Sequence, residues 1–102
     1  MHRDHVPSVP QGFENLGSTD VSVVQGLVKF NTPTDRTVDK LHIFTVQGHP
    51  EFTEPIVSKV VDARSKSGAM DAATTEDAIR RKDWRNDGYV VASVIWKMLG
   101  VV

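Results

Sequence analysis

The segment LHIFTVQGHPEFTEPIVSKVV, residues 41–61, does most to limit what this chain can fold into. LHIFTVQ is a short apolar run of the length and type found in a strand covered on both faces of a sheet. GHPE, residues 48–51, then breaks it. A helix with readable signals follows: Thr53 stands at the cap position, and Glu54 and Pro55 occupy the first turn. There a missing N–H costs nothing and negative charge suits the helix dipole. Ile56, Val57, Val60 and Val61 recur at helical spacing and define one buried face, and Gly68 ends the helix. Strand, tight turn and helix make the βα unit of an α/β protein, in which functional groups gather at the carboxyl ends of strands. His49 and Glu51 stand at that point.

The remaining elements are fewer than a full α/β sheet requires. Residues 19–30, TDVSVVQGLVKF, read as one or two strands interrupted near Gly26. Residues 31–40 form a polar turn with Pro33 and two aspartates. Residues 74–85, TTEDAIRRKDWR, read as an amphipathic helix; Asp87-Gly88 then breaks the chain before a last, mostly buried helix ending at Gly100. Three or four strand candidates and three helices in 102 residues give a partial sheet with flanking helices. A chain of this length buries about 60–65% of its unfolded surface, enough for one small domain, 1–102.

Composition excludes several kinds of function. With 12 Lys and Arg against 13 Asp and Glu, the formal net charge of −1 gives no electrostatic reason to expect nucleic acid or an anionic membrane as partner. The basic run around Trp84 (Arg80, Arg81, Lys82 and Arg85) is broken by Asp77, Asp83 and Asp87, and reads as a solvated helix face. The apolar run YVVASVIWKMLGVV carries Lys97 and is shorter than the roughly 20 residues a membrane span needs; within it, Trp96 and Met98 read as core. These features point to a soluble, cytoplasmic protein. HRDH, residues 2–5, lacks a well-placed further ligand for a metal site, and no motif implies a cofactor.

His49 and Glu51 form the one constellation with chemistry in it. In an extended segment residues i and i+2 project to the same side, and Pro50 biases His49 towards extended backbone. A carboxylate beside one imidazole nitrogen orients the ring and fixes its tautomer, leaving the other nitrogen free as a base. The nucleophile that such a pair serves is missing, because the chain contains no cysteine. Ser18, Ser22 and Ser58 are the candidate substitutes, and none sits in a Gly-x-Ser-x-Gly elbow.

QGHPEF resembles the His-x-Glu motif of class I glutamine amidotransferase domains. MHRDHVPSVPQGFENLGSTD is similar to the His-x-Asp-x-Val, Pro-x-Gly-Phe-Glu and Leu-Gly-Ser stretch that precedes that motif in GMP-synthetase-like members. EPIVSKVVDAR and DGYVVASVIWKMLG resemble the end of free-standing amidotransferase-like proteins, including those acting on γ-glutamyl peptides. The resemblance implies the C-terminal half of a flavodoxin-like domain that hydrolyses glutamine or a γ-glutamyl amide through a Cys-His-Glu triad. His49 matches the general base and Glu51 its orienting carboxylate. The Gly-x-Cys-x-Gly elbow has no counterpart here, so the resemblance implies a fragment inactive alone. The alternative is a non-catalytic interaction module or pseudoenzyme remnant, pairing with itself or another chain through exposed sheet edges.

Overall fold

The computed structural model describes residues 2–101, which divide into two compact units. One comprises Met1–His49 with Tyr89–Val102, the other Pro50–Gly88.

The first unit is built on strands β1 (Glu14–Gly17), β2 (Gly26–Phe30) and β3 (Leu41–Val46). They form one sheet in the order β1-β2-β3, with both pairings antiparallel. Leu27 faces Thr45 and Val28 faces Phe44 across β2 and β3. The core gathers on the central strand and its neighbours: Val24, Leu27, Val28 and Leu41 are buried, with Ser22 beside them.

Gly26 permits this arrangement. A Cβ on it would stand 2.9 Å from the Thr45 carbonyl oxygen, closer than a side chain allows, and a tight 3.3 Å from Leu16 Cβ. The β1–β2 register is irregular at the same place, between Asn15 and Gly17.

Residues 19–25 do not form the strand their valines suggest. Local polar groups satisfy their backbone instead: the Thr19 hydroxyl accepts from Ser22 N at 3.1 Å, and Asn15 Nδ2 donates to Val23 O at 2.7 Å. Gln25 N donates to Gly17 O at 2.8 Å, closing the connection between β1 and β2. The β2–β3 connection is the polar turn expected at residues 31–40, closed by Asn31 N donating to Lys40 O at 2.9 Å.

Strand β3 departs from the sequence reading. Among the described residues it pairs on one side only, with β2, and His42, Thr45 and Val46 are exposed, so it is an edge strand and not one covered on both faces. Its apolar residues serve one face: Leu41 is buried, and Ile43 and Phe44 are half-buried. Helix α3 (Gly88–Met98) also differs from the buried helix expected. None of its residues is buried, and Trp96 is 52% exposed, so Trp96 is a surface residue and not part of the core. Three short strands have too little area to cover an apolar helix on all sides.

The second unit contains α1 (Glu54–Lys66) and α2 (Ala72–Arg81). Pro55 lies in the first turn of α1 as expected, but the Thr53 side chain makes no capping hydrogen bond. Gly68, at φ +74, turns the chain out of the helix end. Helix α2 begins before the expected Thr74, because the Asp71 carboxylate accepts from Thr74 N at 2.7 Å and caps the helix two residues earlier. It ends at Arg81, leaving Trp84 beyond it. Of the α1 face expected to be buried, only Val61 is buried; Val57 and Val60 are half-buried and Ile56 is exposed. No helix among the described residues is long and apolar enough to cross a membrane.

Candidate functional site

The sequence expectation of a strand, a break and a helix around the His-Pro-Glu triplet describes the local structure. β3 ends at Val46, the bend at residues 47–48 follows, and α1 begins at Glu54. Gln47 N donates to Gln25 O at 2.9 Å, extending the β2–β3 pairing one step beyond the strand end. This fixes the point at which the chain leaves the sheet, two residues before His49.

His49 and Glu51 are both exposed. His49 is the last sheet-unit residue before the break and Glu51 the second residue of the helical unit, with Pro50 between them. Pro50 and Glu51 lie in a turn, so the i, i+2 argument for extended chain stops at His49. The segment at residues 86–88 lies beside that turn. Asn86 Nδ2 donates to Phe52 O at 2.5 Å, and its Oδ1 accepts from Gly88 N at 2.6 Å. Gly88 was legible in the sequence only as part of the Asp87-Gly88 break, and Asn86 carried no signal. No local pattern announces a side chain that bonds a carbonyl 34 positions away.

The serines have other occupations. Ser22 is buried and donates to Val24 O at 3.3 Å, and Ser58 lies on α1, donating to Glu54 Oε1 at 2.7 Å. Ser18 is exposed at the end of β1 and not in a strand-to-helix turn. None of the three has the geometry of an activated nucleophile.

The electrostatics of the helical unit are those of exposed, paired carboxylates. The Ser58 hydroxyl, and then the Lys82 ammonium 3.3 Å away, hold Glu54 below the usual carboxylate range. Asp71 is lowered by the Thr74 backbone N–H that it caps, and Asp77 by Arg81 and then Arg80. In the sheet unit Glu14 is lowered by the two-pronged hydrogen bond from Arg36, at 2.6 and 2.5 Å. Arg36 also lies over the Phe30 ring, 5.1 Å from its centroid. Among the described residues no group of three or more His, Cys, Asp and Glu is arranged to hold a metal ion. In HRDH, the His2 Nδ1 is engaged with Asp4 O at 2.8 Å.

The chain is 31% identical over 99 residues to a protein of Schizosaccharomyces pombe provisionally named glutamine amidotransferase-like. It is 27% identical over 99 residues to a protein of Saccharomyces cerevisiae provisionally named a glutamine amidotransferase. These alignments take in 97% and 96% of this chain but 36% and 35% of the two yeast proteins, so the chain spans about a third of the length of the curated relatives it matches. No protein-family model matches it, and no solved structure matches it significantly. The likeness runs across nearly the whole chain and supports a relationship to glutamine amidotransferase-like proteins.

Proposed function

We propose that this chain is the His/Glu-bearing, C-terminal part of a class I glutamine amidotransferase domain, working in the cytoplasm on glutamine or a γ-glutamyl amide. The observation that carries the reading is the similarity to amidotransferase-like proteins across 97% of the chain, with His-Pro-Glu standing between a strand and a helix. In this reading the parent domain is flavodoxin-like. The three antiparallel strands are then one end of a mixed sheet, a common feature of doubly wound folds.

The chemistry assigns His49 as general base and Glu51 as the carboxylate that holds it. A cysteine thiol from outside these 102 residues gives its proton to His49, and the thiolate attacks the side-chain amide carbon of the substrate. The tetrahedral intermediate collapses as His49 returns the proton to the departing ammonia or amine. Water, deprotonated by His49, then hydrolyses the thioester and releases the γ-carboxylate and the thiol. Every step needs the thiol, so the chain alone is inactive in this reading.

The coding sequence upstream of residue 1 tests it. The expected finding is a Gly-x-Cys-x-Gly segment between strand and helix patterns. A complete upstream reading frame without one would remove the single-chain enzyme.

A second reading, a non-catalytic module pairing with a second copy of itself, is favoured by the open outer edges of β1 and β3 and by Leu16 and Val46, each exposed on one of them. Light scattering across a concentration series separates the two. A monodisperse monomer at every concentration contradicts self-pairing.

A further inference from the structure

We infer that Asn86 and Gly88 are positioning residues that hold the Glu51 turn in place. The turn is bracketed by two backbone carbonyls, those of Pro50 and Phe52, and each meets a different part of the Asn86-Asp87-Gly88 segment. Asn86 Nδ2 donates to Phe52 O at 2.5 Å, while Asn86 Oδ1 accepts from Gly88 N at 2.6 Å. The orientation of this amide is forced. Turned over, it would set one acceptor against the Phe52 carbonyl and one donor against the Gly88 N–H.

At the other end of the turn, a Cβ on Gly88 would lie 2.5 Å from Pro50 O and 2.8 Å from Asn86 Oδ1. Real Cβ atoms do not approach oxygen so closely, and one of the contacts is backbone. Residue 88 is therefore restricted to glycine by the proximity of the turn. Asn86 and Gly88 thus approach the residues on either side of Glu51, namely Phe52 and Pro50. All of these atoms belong to the Pro50–Gly88 unit. That the turn serves catalysis rests on the function proposed above; that it is held by residues 86 and 88 rests on the contacts alone.

A merely structural role for Asn86 would be an Asx turn opening α3, in which its oxygen receives Gly88 N. Asn86→Asp separates the two roles. The carboxylate keeps the acceptor for Gly88 N and suits a helix N-terminus, but has no donor for Phe52 O. The test is backbone relaxation by NMR on the whole chain, reading the amides of Glu51 and Phe52 against those of residues 90–98. In the wild type the turn amides are expected near the order parameter of rigid backbone, about 0.85, and in Asn86→Asp below about 0.6, with residues 90–98 unchanged. Gly88→Ala is expected to shift the Glu51 and Phe52 resonances. The inference is overturned if Asn86→Asp leaves Glu51 and Phe52 as ordered as before, if it loosens residues 90–98 equally, or if the wild-type turn is already mobile.

A second readout keeps this result distinct from the catalytic reading. The imidazole nitrogen shifts of His49 in Glu51→Gln report whether Glu51 sets the tautomer. Unchanged shifts there, with the turn released by Asn86→Asp, would remove the catalytic pairing and leave the positioning intact.

Discussion

The Met1–His49/Tyr89–Val102 unit and the Pro50–Gly88 unit use different interactions to hold their elements. In the first, Val24, Leu27, Val28 and Leu41 are buried around a central strand hydrogen-bonded on both sides. In the second, Val61 is the buried apolar residue among those described, and exposed polar contacts do much of the remaining work. Asp71 caps α2, Lys82 reaches Glu54 on α1, Asp77 takes both Arg80 and Arg81, and Asn86 holds the Phe52 carbonyl. Apolar burial is insensitive to pH and is strengthened by excluded salts, whereas exposed charge pairs are screened by salt and lost on protonation. His49 is in the first kind of unit and Glu51 in the second. The proposed base and its orienter thus stand on supports that respond differently to solution conditions.

The largest contrast is expected from core truncation. Leu27→Ala should cost about 3 kcal/mol, because it empties a buried site on the central strand, whereas Val61→Ala should cost about 1.5 kcal/mol. Urea unfolding followed by tryptophan fluorescence and circular dichroism checks both. Equal costs would show that the helical unit depends on its single buried valine as much as the sheet depends on its core.

Acid should divide the units next. Glu54, Asp71 and Asp77 are lowered in the folded chain by hydrogen bonds from Ser58, Thr74 and Arg81 respectively. A carboxyl lowered on folding contributes stability that is full above its unfolded value, near 4, and is lost as pH falls through the folded value. The amide signals of α1 and α2 should therefore broaden or shift below about pH 4, ahead of those of Leu27 and Val28 in β2. Simultaneous loss would contradict the contrast. Glu14 and Asp39 are lowered too, but neither is on the central strand.

Lys82→Ala should give the smallest effect. It removes an exposed partner of Glu54, so any fall in the melting midpoint seen at low salt should vanish at high salt. A salt-independent loss would mean that the lysine stem, which lines the same hollow as Ile79 and Val61, contributes more than its charge.

Local signals in the sequence found local structure. Pro55 and Glu54 announced α1, Gly68 announced its end, and the polar segment at residues 31–40 announced a turn. The antiparallel sheet was not legible in the same way, because strand direction depends on which segments pair and not on the pattern within each. Residues 19–25 misled through their valines: Thr19, Ser22 and Asn15 supply local hydrogen bonds that outcompete a ladder. Asp71 was passed over as a cap although it stands three residues before Thr74, the spacing of its hydrogen bond. For the candidate site, His49 and Glu51 were singled out from their residue types and spacing, though the turn at Pro50 and Glu51 ends the extended backbone on which the spacing argument stood. Asn86 and Gly88 were not, since their contacts join segments 34 positions apart.

The central claim is that His49 and Glu51 serve a thiol they do not carry. Glutaminase activity of this chain joined to a nucleophile-bearing amidotransferase segment tests it most directly, with folding confirmed for each variant. No ammonia release is expected from the chain alone, and measurable release from the joined protein. In the joined protein, His49→Ala should abolish release and Glu51→Gln should reduce it with the fold retained. Undiminished release from the His49→Ala protein would mean that His49 is not the base.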